Sequence, residues 1–161
     1  MIMRIIGIDP GIARTGWGVV NVNGGKLVGE AYGCIETEKS QALESRLHVL
    51  FNELTEILHE HNPDAFSIEE LFFNTNAKTA LIVGQARGVA LLCAAQQHIP
   101  VAVYTPLQVK IAVTGYGRAD KNQVGQMIKS ILKLSSIPKP DDTADALAIA
   151  VTHAFSYKLK R

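Results

Sequence analysis

The sequence predicts an α/β protein, a five-stranded mixed sheet flanked by helices. Three observations lead there. Residues 3–37 contain three apolar runs separated by short turns, the pattern of antiparallel strands. Two later short apolar runs, Ala65–Glu69 and Val101–Tyr104, each follow a long segment of helical period. Helices inserted between strands call for right-handed crossovers, so the later strands should lie parallel within the same sheet.

Taken in order, Met3–Ile8 is almost wholly apolar and stops at Asp9-Pro10-Gly11, which marks a buried first strand. Thr15–Val22 is the second, with Gly16 and Gly18 leaving room for close backbone approach. Asn23-Gly24-Gly25 supplies a hairpin turn into Lys26–Thr37. Leu43, Leu47, Leu50, Phe51, Leu54, Ile57 and Leu58 then recur at helical spacing, predicting an amphipathic helix over 41–62 that Pro63 terminates. After strand Ala65–Glu69, a second long helix is expected from Ala77 to His98, ahead of strand Val101–Tyr104. Segments 106–114 and 121–134 read as helices separated by Gly115-Tyr116-Gly117, and a last helix should run from near Asp142 towards Tyr157.

A chain of 161 residues with 47% hydrophobic content suits a single domain, 1–161, with an ordinary core. Cys34 and Cys93 lie in apolar surroundings that fit buried thiols, and two cysteines alone do not establish a disulfide. The opening MIMRIIGIDPG lacks a charged start and a cleavage site, and no uncharged apolar segment reaches the roughly 18 to 20 residues that cross a bilayer. A cytoplasmic protein without membrane contact is the expectation. The formal net charge of +1 is uninformative, but its distribution is not. Residues 1–103 carry seven Lys/Arg against eleven Asp/Glu, whereas residues 104–161 carry nine against four. A basic C-terminal third could contact phosphates while carboxylates elsewhere hold metal, although uneven surface charge would look the same.

Asp9 sits just past the first strand and Glu69 closes the fourth. If those strands are parallel neighbours, both carboxylates emerge at the sheet edge where α/β proteins bind ligands. Asp142 and Asp145 are three apart at the start of the last helix, which puts them on one helical face. Each has a plainer use: Asp9 could cap a turn, Glu69 could face solvent as Glu70 should, and Asp142 could serve the helix terminus. Asp145, among Ala144, Ala146, Leu147 and Ala148, would be costly unless paired or bound to metal. Together the four would suit hard divalent cations, with Mg2+ favoured and two ions able to serve a phosphodiester from both sides. Mn2+ could substitute. His48, His59, His61, His98 and His153 show no metal-ligand spacing with the cysteines, and no P-loop or GxGxxG occurs.

Five segments in this order resemble the bacterial RuvC family of Holliday junction resolvases over nearly the whole chain. They are Gly7-Ile8-Asp9-Pro10-Gly11, Ile68-Glu69-Glu70-Leu71-Phe72, Gly84-Gln85-Ala86-Arg87-Gly88, Gln108-Val109-Lys110 and Asp142-Thr143-Ala144-Asp145-Ala146-Leu147-Ala148. The resemblance implies a ribonuclease-H-like fold, with Asp9, Glu69, Asp142 and Asp145 as the catalytic, magnesium-binding acids. It implies symmetric paired nicks in a four-way DNA junction, leaving 5′-phosphate and 3′-hydroxyl ends. It also implies a homodimer, and cooperation with the branch-migration proteins RuvA and RuvB in recombinational repair. Phe72 matches a junction-contacting position expected to stack on an exposed base; Phe73 stands where the family often has methionine. Lys110 and Lys121 match basic positions assigned to DNA, and Arg118 is a further DNA-binding candidate at a position commonly small in the family. Gly84 and Gly88, four apart on a helix near the family's dimer contact, would equally serve packing on the protein's own sheet. Other readings are a related nuclease for RNA-containing or other branched substrates, an inactive junction-binding scaffold, and an actin-like ATPase. The last would need a second large lobe and repeated phosphate loop that this chain lacks.

Overall fold

A computed structural model describes residues 2–71 and 76–158, without the Lys158 side chain. Strands β1 (Ile2–Asp9), β2 (Arg14–Asn23) and β3 (Lys26–Glu36) form an antiparallel meander, whose second turn is Gly24-Gly25 with φ of 54° and 87°. Positive φ at both central residues matches the twist of the flanking strands, and glycine adopts it without a Cβ clash. Helix α1 (Leu43–His61) leads to β4 (Ala65–Glu69), which adds parallel to β1, and α2 (Ala77–Gln96) leads to β5 (Val101–Tyr104), parallel to β4. The sheet order is β3-β2-β1-β4-β5, followed in the chain by α3 (Pro106–Thr114), α4 (Lys121–Ile131) and α5 (Asp141–Lys158). The five strands and their mixed sense match the sequence reading.

Alternation along the strands sorts the core into two layers. Ile6, Ile8, Val19, Phe66 and Ile68 point to α1 and α2, where Leu50, Leu54, Leu58, Ala86, Ala90 and Cys93 meet them. Ile5, Val20 and Ala65 point the other way, to Val109 and Val113 of α3, Val124 and Ile128 of α4, and the apolar face of α5. By length and composition α2 could cross a membrane, but here it lies against α1 and the sheet.

Helix α5 approaches the sheet more closely than ordinary side chains would allow. A Cβ on Gly7 would stand 2.0 Å from the Ala146 carbonyl oxygen, and one on Gly16 would stand 1.9 Å from that of Asp142. A Cβ on Gly18 would stand 2.6 Å from the Leu147 side chain. These glycines clear a path across β1 and β2, and alanines at 144, 146, 148, 150 and 154 give the helix a thin contact face. At its first turn the buried Thr143 hydroxyl donates to the Gly33 carbonyl of β3 at 3.2 Å. The helix is thereby fixed across the sheet at its N-terminal end.

Three helices differ from the sequence reading at their ends. α1 spans 43–61 instead of 41–62, stopping as expected just before Pro63, with Asn62 left-handed at φ 43°. α2 ends at Gln96 instead of His98, and α4 at Ile131 instead of 134. Both close with a left-handed residue, His98 and Lys133, and paired back-bonds: His98 N–H to Ala95 and Ile99 N–H to Ala94, then Lys133 N–H to Ser130 and Leu134 N–H to Lys129. Glycine usually marks such a terminus; neither end offers one. Cys93 is buried and Cys34 only half-buried, and both are free thiols.

Gly7→Ala should force α5 off the sheet, because its new methyl would meet backbone that cannot rotate away. We expect a loss of about 3 kcal/mol or more in urea-unfolding free energy. A midpoint unchanged from the parent would show that α5 has room to shift.

Candidate active site

The C-terminal ends of β1 and β4 lie side by side, since the parallel register runs from Ile5↔Ala65 to Ile8↔Ile68. Asp9 and Glu69 follow on the sheet face that carries Gly7, Ser67 and α5. The turn after β1 is held without Asp9: Thr15 Oγ1 donates to the Gly11 carbonyl at 2.7 Å and accepts from the Gly11 N–H. The Asp9 carboxylate is thus left to the cavity. Glu69 is half-buried and its neighbour Glu70 exposed, as expected.

The first turns of α5 bring Asp142 and Asp145 over these strand ends. Asp9, Glu69, Asp142 and Asp145 line one cavity of about 330 Å³, walled by Pro106, Val109, Lys110, Lys121, Val124 and Ala148. Acids from three distant parts of the sequence therefore share one space. They do not close on one point: among the described residues no three Asp, Glu, His or Cys side chains form a ready metal-ligand cluster. Mutual repulsion of carboxylates favours such spreading.

The electrostatics record that repulsion. Burial, then Asp145, Glu69 and Asp142, push the Asp9 carboxyl up to about 8, against a smaller opposing effect of Lys121. Burial and Asp145 also raise Glu69, while Lys121 and Lys110 pull it back. Burial raises Asp145 despite its 3.3 Å ion pair with Lys121. The same pair holds the Lys121 ammonium more firmly charged than usual, chiefly through Asp145. An all-carboxylate donor set under this strain fits a hard divalent cation, which would relieve the repulsion that burial intensifies.

Lys110 on α3 and Lys121 at the start of α4 both reach this cavity. Two capping boxes orient their helices, Thr105 with Gln108 for α3 and Asp120 with Gln123 for α4. Arg118 is exposed in the segment before α4 and is not part of the cavity wall. Phe72 and Phe73 lie outside the described residues, but Leu71 and Asn76 on either side of that segment line an adjoining cleft of about 440 Å³. That cleft also holds Asp9, Glu69, Thr79 and Arg87. Arg87 carries no sequence signal of its own beyond its place in the Gly84–Gly88 segment. His153 is not part of this cavity wall; its Nδ1 lies 2.8 Å from the Tyr104 hydroxyl.

Compared with known proteins, residues 5–153 match a family model described as crossover junction endodeoxyribonuclease RuvC. A protein of that name from Ruminiclostridium cellulolyticum is 56% identical over 157 residues, covering 98% of this chain and 95% of its own. Its counterpart from Alkaliphilus oremlandii is 55% identical over 152 residues, covering 94% and 93%. Among solved structures, T. thermophilus RuvC in complex with Holliday junction substrate aligns with a TM-score of 0.93 at 39% identity, covering 98% of this chain and 96% of that one.

The raised Asp9 carboxyl sets a sign for pH dependence. The folded state keeps its proton up to about pH 8, where the unfolded chain has already lost it. Stability should therefore fall as pH rises from about 4 through about 8. In EDTA, Asp9→Asn should melt at least about 3 °C above the parent near pH 8, with the gap closing near pH 4. Mg2+ should raise the parent's Tm more at the alkaline end. Parallel Tm profiles for the two proteins would contradict this assignment.

Proposed function

The chain belongs to the crossover junction endodeoxyribonuclease RuvC family, and we propose that it resolves four-way DNA junctions at the cavity bounded by Asp9, Glu69, Asp142 and Asp145. It is a hydrolytic nuclease of DNA recombination and repair with a ribonuclease-H-like α/β fold. The observation that carries the site assignment is the convergence of these acids from two neighbouring strand ends and one helix, with Lys110 and Lys121 in the same wall. A scaffold protein would have no use for carboxylates held against their own repulsion.

Asp9, Glu69, Asp142 and Asp145 would hold the divalent cation, which we take to be magnesium, two ions per site, with manganese able to replace it. When bound it supplies an activated water and charge neutralisation at the leaving oxygen. The protein's own groups do the rest. Lys110 and Lys121 meet the backbone phosphates, and their positive charge offsets charge gathering on the phosphoryl oxygens. Lys121 pairs with Asp145 at the cavity edge while its side chain stays 74% exposed, so it can turn to a phosphate without leaving a buried charge behind. Oxygen from water bonds to phosphorus as the P–O3′ bond breaks, leaving a 5′-phosphate and a 3′-hydroxyl. Phe72, just past Leu71 of the adjoining cleft, is assigned to stacking on an unpaired base at the crossover. Arg118, exposed before α4, is assigned a peripheral phosphate contact.

Two symmetric cuts need two sites related by a two-fold axis, so we take the working form to be a homodimer. The surface that supports this lies on α2, where Leu81 and Leu92 are 62% and 51% exposed. Between them Gly88 has open space on its Cβ side. Action in the cytoplasm beside RuvA and RuvB completes the reading.

Single-turnover cleavage of a mobile four-way junction with Mg2+ tests the site directly. Paired, symmetric nicks should be slowed roughly a hundredfold or more by Glu69→Gln. Equal cutting of linear duplex or of RNA–DNA hybrid would instead favour a nuclease of broader substrate. Junction binding by the parent without cleavage would favour a scaffold. For assembly, sedimentation velocity should show a dimer that the L81E/L92E double variant converts to monomer; an unaltered dimer would move the interface off α2.

A further inference from the structure

From the backbone pattern where β1 and β4 end, we infer that Arg87 is a positioning residue for Glu69, replacing a sheet hydrogen bond that Pro10 cannot make. The inference rests on the reading of Glu69 as an active-site carboxylate. Phe66 N–H donates to the Pro100 carbonyl at 2.9 Å and Glu70 N–H to that of Tyr104 at 2.8 Å. Even-numbered residues of β4 therefore turn their backbone groups to β5, and Ala65, Ser67 and Glu69 turn theirs to β1. The β1–β4 register stops at Ile8↔Ile68. One rung further, the N–H of residue 10 would meet the Glu69 carbonyl, but residue 10 is proline and has no N–H.

Arg87 occupies that role. Its Nε donates to the Glu69 carbonyl at 3.2 Å. It comes from α2, which packs on the opposite sheet face from the cavity that the Glu69 carboxylate enters. The cations that act on the carboxylate itself are Lys121 and Lys110. Arg87 thus holds the backbone from the α2 side of the adjoining cleft, while the two lysines face the charge from the α3 and α4 side. Without it, the last carbonyl of β4 has no ladder partner just where the chain leaves the sheet, and the carboxylate it carries loses its fixed base. Glu70 N–H on Tyr104 holds only the β5 side of the same turn.

Replacing the proline can return the missing donor, which gives a test that simple loss of a surface arginine would not pass. Arg87→Ala, the Pro10→Ala/Arg87→Ala pair and Glu69→Gln are compared in single-turnover junction cleavage with Mg2+, with junction affinity measured separately in Ca2+. Arg87→Ala should slow cleavage about ten- to a hundredfold while affinity stays within about twofold, since misplacing a reacting group costs rate more than binding. The paired variant, with an N–H restored at residue 10, should regain most of the rate. Loss of affinity in step with rate, without recovery in the pair, would make Arg87 a phosphate contact and overturn the inference. Full activity of Arg87→Ala would overturn it too. If Arg87→Ala fails to fold, the pair must fold and cut near the parental rate, and its failure would be equally decisive. Glu69→Gln cutting at the parental rate would remove the active-site reading itself, and this inference with it. An inactive Glu69→Gln beside a fully active Arg87→Ala would remove only the inference.

Discussion

Contact between α5 and the sheet is the constraint on which the site depends. Gly7, Gly16 and Gly18 have no side chain where α5 passes, so the helix backbone rests almost on the strands. This closeness sets the height of Asp142 and Asp145 above the end of β1. Side chains on those glycines would push α5 outward and move its carboxylates away from Asp9 and Glu69. The alanines of α5 and the Thr143 bond to Gly33 serve the same placement. Packing that looks merely economical is what brings two distant parts of the chain within reach of one another.

The carboxylates then resist what the packing imposes. Burial and neighbouring charge both disfavour ionisation, and Asp9 feels them most. Lys121 relieves part of that strain through Asp145, but from a position mostly in solvent. The protein thus keeps stability and ion affinity in opposition: what would raise one lowers the other. The apolar layers on both sides of the sheet supply the rigidity that tolerates this opposition.

Much of this was legible from residue order. Strand alternation, the Gly24-Gly25 turn and the apolar helix period reported the sheet and its coverings, because each is a local preference agreeing with the global fold. Of the acids, Asp145 stood out by its apolar company, whereas Asp9, Glu69 and Asp142 each had a plainer local use and were singled out by the family's motifs. Gly16 and Gly18 announced a close approach without saying what approached. The ends of α2 and α4 were not legible, since His98 and Lys133 take a left-handed conformation usually reserved for glycine. Nor was Arg87, whose contact is to a backbone carbonyl: the side-chain type of Glu69 carries no information about that bond. Phe72 belongs to the segment outside the described residues, so its assignment rests on family likeness.

The order in which the acids occur along the chain has a consequence for when the protein can act. Asp9 and Glu69 belong to the first half, while Asp142 and Asp145 arrive on α5 after every strand has been made. A nascent chain emerging from the ribosome can pair its strands with only two of the four acids available. The glycine-cleared face stays uncovered until α5 docks, and docking the helix completes the carboxylate set in the same event. On the assignment proposed above, folding of the last helix and assembly of the site would coincide, because a chain without α5 holds only half of the carboxylate set.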